Sequence, residues 1–380
     1  MRRVGTVILG LLLAAAMAFP AAAAETIKIG AILSVTGPAS FLGAPEAKTL
    51  EMQVADVNRK GGILGRKVEL IVKDSGASPE KAFSFAKQLI EEEKVFAIIG
   101  PSTSGETMKI KGLAEEGKTI LMSCAAAEVI VNPVAKYVFK TPQKDSDAVI
   151  MIFQQMKKMK ISKIGVVSSN TGFGGAGKAQ IEALAPKHGI TIVANEVYDK
   201  AASDLTAEVT KLKAANVEAV INWSIEPAQA IVIKNARQIG LKVPIFQSHG
   251  FGNIKYVDAA GEAAEGVMFP AGRLLVADQL PKDHPQRALL LQYKKDYQSY
   301  CQGEECSTFG GHAFDAFIIL QKAIEKAGST DKEKVRTAIE NLKGVVGTAG
   351  IFNFSPTDHN GLDIDAFVML VVRNGKFTIL

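Results

Sequence analysis

Short apolar runs alternate with longer helical segments along most of the chain, and this alternation constrains the fold more than any other feature. The unit recurs about every 25 to 30 residues, which is typical of strand–helix–strand units in a parallel sheet with right-handed connections. Two such series follow one another, so the sequence predicts two sheets. We predict strands at 27–33, 68–73, 96–100 and 119–122, and then at 163–168, 191–197, 219–222 and 243–247.

The last third of the chain predicts a discontinuous assembly of the two lobes. Three predicted helices have no strands of their own, so we expect them to pack on the first sheet. The tail alternates like antiparallel strands joined by an Asn374-Gly375 turn, and we expect it to complete the second sheet. The predicted class is α/β, with two doubly wound parallel-sheet lobes joined by three hinge crossings near 143–146, 270–273 and 346–349. The predicted division is a signal peptide at 1–24, lobe 1 at 25–143 with 272–347, and lobe 2 at 144–271 with 348–380.

The N-terminal segment has the pattern of an export signal. Arg2 and Arg3 precede the uncharged run 4–19, Pro20 follows, and small residues end the segment at Ala24. We therefore predict cleavage after Ala24 and a periplasmic protein. A retained membrane anchor is the alternative, because the apolar run is almost long enough to span a bilayer.

Charge and cysteine content narrow the possible partners. The formal charge is +5 and falls to +3 without Arg2 and Arg3, with no basic block, so we expect no nucleic-acid partner. Cys301 and Cys306 flank a short polar stretch, which in an oxidising compartment predicts a disulfide loop, with two free thiols as the alternative. Because the pair has no further ligands, no metal site is predicted.

Two glycine loops resemble nucleotide-binding motifs. Residues 172–177 match G-x-G-x-x-G, but nicotinamide cofactors are not free outside the cytosol, so no cofactor is predicted. Residues 100–107 have the spacing of a phosphate-binding loop, with Glu106 where the lysine should stand. This loop favours a small carboxylate at a helix N-terminus. The alternative is simple N-capping by Ser102 or Ser104.

No catalytic constellation is visible in the sequence. There is no G-x-S-x-G or H-E-x-x-H motif, and no base-plus-nucleophile pair follows from spacing. The histidines are dispersed along the chain, at His188, His249, His284, His312 and His359. We therefore predict a protein that is not an enzyme.

Several segments together resemble the branched-chain amino-acid type of periplasmic solute-binding proteins, the receptors of ABC importers. The matching segments run in order through the chain at 29–38 with Gly43, 56–67, 98–104, 137–141, 235–240, 266–267 and 347–354. The resemblance implies two lobes, three hinge strands and a cleft that closes on a small solute. It also implies an inner-membrane ABC permease as partner, and we expect a monomer. A sensor that reports the ligand to a signalling receptor is the alternative.

The resemblance also implies ligand contacts. In amino-acid-binding members the turn after the third strand holds the ligand carboxylate, and the next loop adds a hydroxyl group. Apolar cover comes from the first loop and from an aromatic ring of the second lobe. The corresponding residues of this chain are Phe41, Leu42, Ser102, Thr103, Ser104, Gly105, Ser123, Ala125, Ala127 and Phe173.

The largest departure from the family pattern is His249. Amino-acid binders place a carboxylate there to pair with the ligand ammonium, and an unpaired buried ammonium is costly. We therefore expect a small apolar or aromatic carboxylate, with His249 as a possible anion partner. A branched-chain or hydrophobic amino acid stays open, because Glu226 is able to supply the missing acid.

Overall fold

The computed structural model describes residues 25–380, which form two large sheets flanked by helices and one small two-stranded sheet. The predicted signal peptide and its cleavage after Ala24 lie outside the described residues. The first sheet is parallel and has five strands, β1 (Ile27–Leu33), β2 (Val68–Asp74), β3 (Ala97–Ile99), β4 (Ile120–Ser123) and β5 (Val138–Lys140). Their order is β2-β1-β3-β4-β5. The sequence analysis missed β5, because three buried residues show no periodicity.

The second sheet begins with five more parallel strands, β6 (Lys163–Ser169), β7 (Thr191–Tyr198), β8 (Ala219–Trp223), β9 (Ile245–Gln247) and β10 (Met268–Ala271). The late strands are β11 (Val345–Val346), β12 (Ile351–Phe352), β13 (Val368–Arg373) and β14 (Lys376–Ile379). β13 and β14 pair antiparallel and extend the second sheet, whose order is β14-β13-β10-β9-β8-β6-β7. Asn374 and Gly375 both have positive φ, 50° and 69°, as the predicted hairpin turn requires.

Helices connect the parallel strands and cover both sheets. Their bounds are α1 (Ser40–Arg59), α2 (Pro79–Lys87), α3 (Ser104–Glu116), α4 (Asp145–Lys158), α5 (Gly172–Leu184), α6 (Thr206–Ala214), α7 (Ala228–Gln238), α8 (Ile254–Ala260), α9 (Arg287–Tyr300), α10 (Thr308–Ala327) and α11 (Lys332–Glu340). Local sequence sets these limits. α10, for example, begins after Ser307, whose side chain accepts from the Gly310 amide, and ends at Gly328, which has a left-handed φ of 58°.

The predicted fold class is confirmed, with a core on each sheet. α10 and α11 contribute to the core of the first sheet, as expected for helices without strands of their own. Phe352, Phe354 and Leu362 also lie in that core, and Phe354 packs edge-on against Phe139 at a centroid distance of 6.0 Å. These contacts favour placing 345–362 with lobe 1, whereas the sequence division assigned everything after 347 to lobe 2. The lobe boundaries stay a prediction.

The predicted Cys301–Cys306 disulfide is not formed in the structure, where both thiols are free. Cys301 is half-buried at the end of α9, while Cys306 is buried beside Tyr293 and Tyr297. Burial raises the pKa of Cys301, and that of Cys306 to about 12. Because the thiolate is the species that forms disulfides, this environment opposes the bridge.

Two features are absent from the part of the chain that the structure describes. Within residues 25–380, no helix combines the length and apolar character needed to cross a membrane. Over the same range, no group of three or more His, Cys, Asp or Glu side chains is placed to hold a metal ion.

Candidate ligand cleft between the lobes

The candidate site lies between the lobes, at the carboxyl ends of strands from both sheets. Loops that follow β1 and β3 in lobe 1 face loops that follow β6 and β8 in lobe 2. Together they line a cavity of about 260 Å³, which we call the outer cavity. In open α/β sheets this edge is where ligands bind. Its lining includes Pro38, Ala39, Thr103, Ser104, Gly105, Asn170, Thr171, Gly172, Phe173, Lys200, Ile225 and Glu226.

A second and much smaller cavity, about 20 Å³, lies beside the outer cavity, and we call it the deep cavity. The two share Ser104, Phe173 and Ile225 in their walls. The rest of the deep cavity is mostly apolar, with two imidazoles among its lining residues Leu42, Ser102, Cys124, Ala125, Ala126, Pro142, His249, Gly250, Phe309 and His312.

Two helix N-termini meet at the outer cavity. Thr103 caps α3 by accepting from the Glu106 amide at 3.4 Å, and Thr171 caps α5 by accepting from the Gly174 amide at 3.2 Å. The other first-turn amides have no intrahelical partner, and both helix dipoles place positive charge at this end. The arrangement favours a small anion between the lobes. It also corrects the sequence analysis, because Thr103, rather than Ser102 or Ser104, is the N-cap of α3.

The two helix ends approach each other closely at two glycines, Gly105 and Gly172. A Cβ placed on Gly172 would lie 2.9 Å from the Gly105 nitrogen and 3.0 Å from its Cα. Such distances leave no room for a side chain at 172. The structure is therefore a closed form, with the two helix ends almost in contact.

Polar contacts also bridge the lobes beside the cleft. Asn253 Nδ2 donates to the Phe41 carbonyl at 3.0 Å. Glu304, in the loop between α9 and α10, pairs with Lys255 of α8 at 3.0 Å and with Lys48 of α1. The contacts of Asn253 and Lys255 join lobe 2 to lobe 1 and stabilise the closed arrangement, whereas the Lys48 pair lies within lobe 1.

His249 is enclosed by aromatic rings at the edge of the deep cavity. Its imidazole packs edge-on against Phe173, Trp223 and Phe367, with centroid distances of 5.4, 5.7 and 5.6 Å. Its Nε2 lies 3.6 Å from Asp145 Oδ1, which is too long for a good hydrogen bond. Burial lowers the pKa of His249 well below its usual range. The ring is therefore neutral, so as the predicted anion partner it would offer a hydrogen bond but no positive charge.

Lys140 supplies buried positive charge near both imidazoles. Its ammonium donates to the carbonyls of Ala126, Pro142 and Gln143 at 2.9, 2.8 and 2.9 Å. Burial, and then Lys140, lower the pKa of His312 to about 3. Burial also lowers the pKa of Lys140 itself. Both imidazoles of the deep cavity are thus neutral over the physiological range.

A buried hydroxyl–carboxyl network supports the loop that precedes α3. Ser102 Oγ donates to Glu46 and accepts from the Ser34 amide at 3.0 Å. Glu106 Oε2 accepts from Thr103 Oγ1 at 2.6 Å and from Ser34 Oγ at 3.0 Å. Burial raises the pKa of Glu46 to about 8, against the hydrogen bond from Ser102. The side chain of Glu106, at the lysine position of the phosphate-loop pattern, thus reinforces the helix cap.

Most of the residues predicted for the site come together at the two cavities. The lining includes Leu42, Ser102, Thr103, Ser104, Gly105, Ala125, Phe173, Glu226 and His249. Their contact with a ligand stays a prediction.

Three predicted residues lie away from both cavity linings. Phe41 packs on Tyr256 at 5.3 Å. Ser123 bonds Thr107 Oγ1 at 2.9 Å, and the Ala127 amide donates to Ser104 Oγ at 3.2 Å. All three support neighbouring parts of the cleft.

The sequence analysis missed several lining residues, of which His312 is the most informative. Nothing in the sequence links this single histidine on α10 to His249 in lobe 2, because only the folded chain brings them to one cavity. Asn170, Thr171 and Gly172 could have been predicted from the sequence, because they precede or begin the G-x-G-x-x-G match.

Packing explains the glycines of that match. A Cβ on Gly174 would lie 2.0 Å from the Ser169 carbonyl oxygen, and one on Gly177 would lie 2.0 Å from Trp223 Nε1. Both glycines therefore allow α5 to approach β6 and β8 closely.

The fold and the cleft define a two-lobed α/β binding protein that encloses a small molecule between its lobes. A family model described as periplasmic binding protein matches residues 26–376, and the chain belongs to that family. It is 27% identical over 347 residues to Leu/Ile/Val-binding protein homolog 3 of Brucella melitensis, covering 90% of this chain and 91% of that protein. It is also 27% identical over 319 residues to the leucine-, isoleucine-, valine-, threonine- and alanine-binding protein of Pseudomonas aeruginosa, covering 83% of each. The predicted resemblance is confirmed.

Solved structures agree with this assignment. An extracellular ligand-binding receptor from Rhodopseudomonas palustris HaA2 has a TM-score of 0.88 and 29% identity, covering 94% of this chain and 100% of that chain. A solute binding protein of an ABC transporter from R. palustris BisB5, in complex with 3,4-dihydroxybenzoic acid, has a TM-score of 0.79 and 19% identity, covering 93% and 96%. At that identity the second likeness concerns the fold alone.

Proposed function

We propose that this protein captures a small solute with a carboxylate and an apolar body, and delivers it unchanged to an ABC permease in the inner membrane. The observation that carries the proposal is the pair of helix N-termini at the outer cavity, where Gly105 and Gly172 almost touch. A carboxylate there would accept from amides of both lobes, so its binding would favour closure. The permease would recognise the closed form.

The apolar body of the solute would lie against the walls that the two cavities share. Phe173 and Ile225 line both cavities, and Leu42 adds to the apolar lining of the deep cavity. This lining suits a small apolar or aromatic carboxylate. We further propose that the chain is exported to the periplasm, cleaved after Ala24, and acts as a monomer.

A branched-chain or hydrophobic amino acid is the second candidate ligand, and Glu226 favours it. This carboxylate lines the outer cavity, where its Oε2 accepts from Ser224 Oγ at 2.6 Å and from the Ile225 amide at 3.2 Å. It lies in the same cavity as the helix ends and is able to pair with a ligand ammonium. The neutral His249 offers no such ion pair.

A thermal-shift titration tests the proposal and separates the two ligand classes. Leucine and isoleucine would be compared with benzoate, 3-phenylpropanoate and hexanoate. A ligand at a hundredfold excess over its Kd stabilises the native form by about 2.7 kcal/mol, which raises the melting temperature. If no compound of either class stabilises the protein, carboxylate capture is wrong.

The Glu226→Gln variant identifies the partner of the ammonium. If the ligand is an amino acid, its stabilisation is lost in this variant, whereas binding of a simple carboxylate persists. Glu262→Gln is the matched control, because Glu262 is exposed in the same lobe. Leucine binding that is equally strong in both variants would exclude Glu226 as the partner.

A further inference from the structure

The deep cavity is lined by two imidazoles whose nitrogen atoms are able to hydrogen-bond to a ligand. Within residues 25–380, both ring nitrogens of His249 and the Nδ1 of His312 lack a hydrogen-bond partner. Both side chains line the cavity, and each residue is only 6% exposed. Buried polar atoms are normally hydrogen-bonded, so two such imidazoles at one cavity indicate a ligand group.

The other walls direct a polar group towards these two rings. Leu42, Ile225 and Phe309 are apolar. Ser102 Oγ donates its proton to Glu46, whereas Ser104 Oγ accepts from the Ala127 amide and keeps its own proton free to donate. The imidazoles are the lining side chains with buried, unpartnered polar atoms.

The chemistry of the two rings selects a neutral group. Both imidazoles are uncharged, and the nearby Lys140 ammonium is held by three carbonyls. A second charge on the solute would lose its hydration here without gaining an ion pair. A hydroxyl group both donates and accepts, so it matches either tautomer of either ring.

The size of the cavity allows one such group. Its volume of about 20 Å³ exceeds the roughly 10 to 15 Å³ needed for one water-sized oxygen. It adjoins the outer cavity, because Ser104, Phe173 and Ile225 line both. A solute held at the helix ends would therefore reach the deep cavity past these three side chains.

We propose that the deep cavity is a subsite for a hydroxyl group of the solute, held by His249 and His312. The ligand would then be a small apolar acid that carries a hydroxyl at the end remote from its carboxylate. This inference rests on the proposed function, because the helix ends must hold the carboxylate first.

Calorimetric titration of matched acids tests the subsite. The pairs are benzoate with 4-hydroxybenzoate, 3-phenylpropanoate with 3-(4-hydroxyphenyl)propanoate, and hexanoate with 6-hydroxyhexanoate. In the pair of matching length, the hydroxylated acid should bind about tenfold more tightly, the effect of one to two added hydrogen bonds. The fluorescence of Trp223, the only tryptophan in the sequence, gives a second readout because its ring packs on Phe173 and His249.

Variants connect the preference to the two rings. His249→Phe and His312→Phe should each reduce the ratio of affinities within that pair towards one, and His312→Asn should restore part of it. The ratio is measured within one protein, so altered folding of a variant does not imitate the result. His188→Phe is the matched control, because His188 is exposed and lies outside both linings, and it should keep the full ratio.

The outcomes separate this inference from the proposed function. If both members of every pair bind equally well to the unmodified protein, the hydroxyl subsite is wrong and carboxylate capture stands. A preference that survives in both phenylalanine variants also overturns it. If no acid of any pair binds, the proposed function fails and the subsite fails with it.

Discussion

Gly172→Ala should weaken ligand binding without destabilising the protein. In the closed form the added Cβ would lie 2.9 Å from the Gly105 nitrogen, about half an ångström inside ordinary contact. Both atoms belong to helix backbone, so neither yields easily. The clash exists only when the lobes are closed, because the two glycines belong to different lobes.

The size of the effect follows from this geometry. Overpacking by one methyl group costs about 1 to 3 kcal/mol, and here the cost falls on the closed form alone. Ligand binding requires that form, so the Kd should rise by about 5- to 150-fold. Alanine has a better helix propensity than glycine, so the melting temperature of the free protein should hold or rise slightly.

Calorimetry of any ligand that stabilises the protein measures the Kd, and small-angle scattering measures the closure. Gly175→Ala is the matched control, because Gly175 lies in the same helix and outside both linings, and its Cβ would meet nothing within 4 Å. Unchanged binding by Gly172→Ala, or equal losses in both variants, would refute the argument that the two helix ends meet in the closed form.

Two further predictions concern charged groups. Burial raises the pKa of Glu46 to about 8, so the folded state keeps a proton that the unfolded state loses above about pH 4.5. Stability should therefore fall as pH rises from about 4.5 to 8, by on the order of 5 kcal/mol. Denaturant titrations should show that Glu46→Gln removes this decline and that the exposed Glu51→Gln keeps it; parallel profiles for both variants would contradict the shift. Glu304→Gln breaks the partly exposed ion pair with Lys255 that joins the lobes, worth up to about 1 kcal/mol, and a second pair with Lys48 inside lobe 1. Because only the first pair depends on closure, the Kd should rise up to about fivefold at low salt and hardly at 1 M salt. A salt-independent loss, or an equal loss in Glu305→Gln, would exclude the ion pairs as its cause.

The parts of the fold that could be predicted are the strand–helix units, because they recur along the chain. Strand and helix alternation gave both sheets, and the Asn374-Gly375 turn gave the final hairpin. The position of 345–362 could not be predicted in the same way. A short alternating segment shows that one face is buried, but only contacts such as Phe354 with Phe139 show which sheet buries it.

The parts of the candidate site that could be predicted are those formed by residues close together in the chain. The loop with Ser104 and Gly105 was found because glycine and hydroxyl residues precede a helix there. His312 was missed, because its importance depends on His249 of the other lobe. The prediction of a Cys301–Cys306 disulfide was wrong for a related reason. The spacing of two cysteines shows that a bridge could join them, but it does not show that Cys306 is buried.

The antiparallel end of the second sheet makes the folding of that lobe depend on strands far apart in the sequence. β10 pairs with β13, although the three helices α9 to α11 and the β11–β12 hairpin lie between them in sequence. Phe377 of β14 then packs on Phe269 at 5.1 Å and on Phe251 at 6.4 Å. Pairing over such a separation forms slowly, because a long loop must close first. The second sheet is therefore completed only after β13 and β14 have been synthesised.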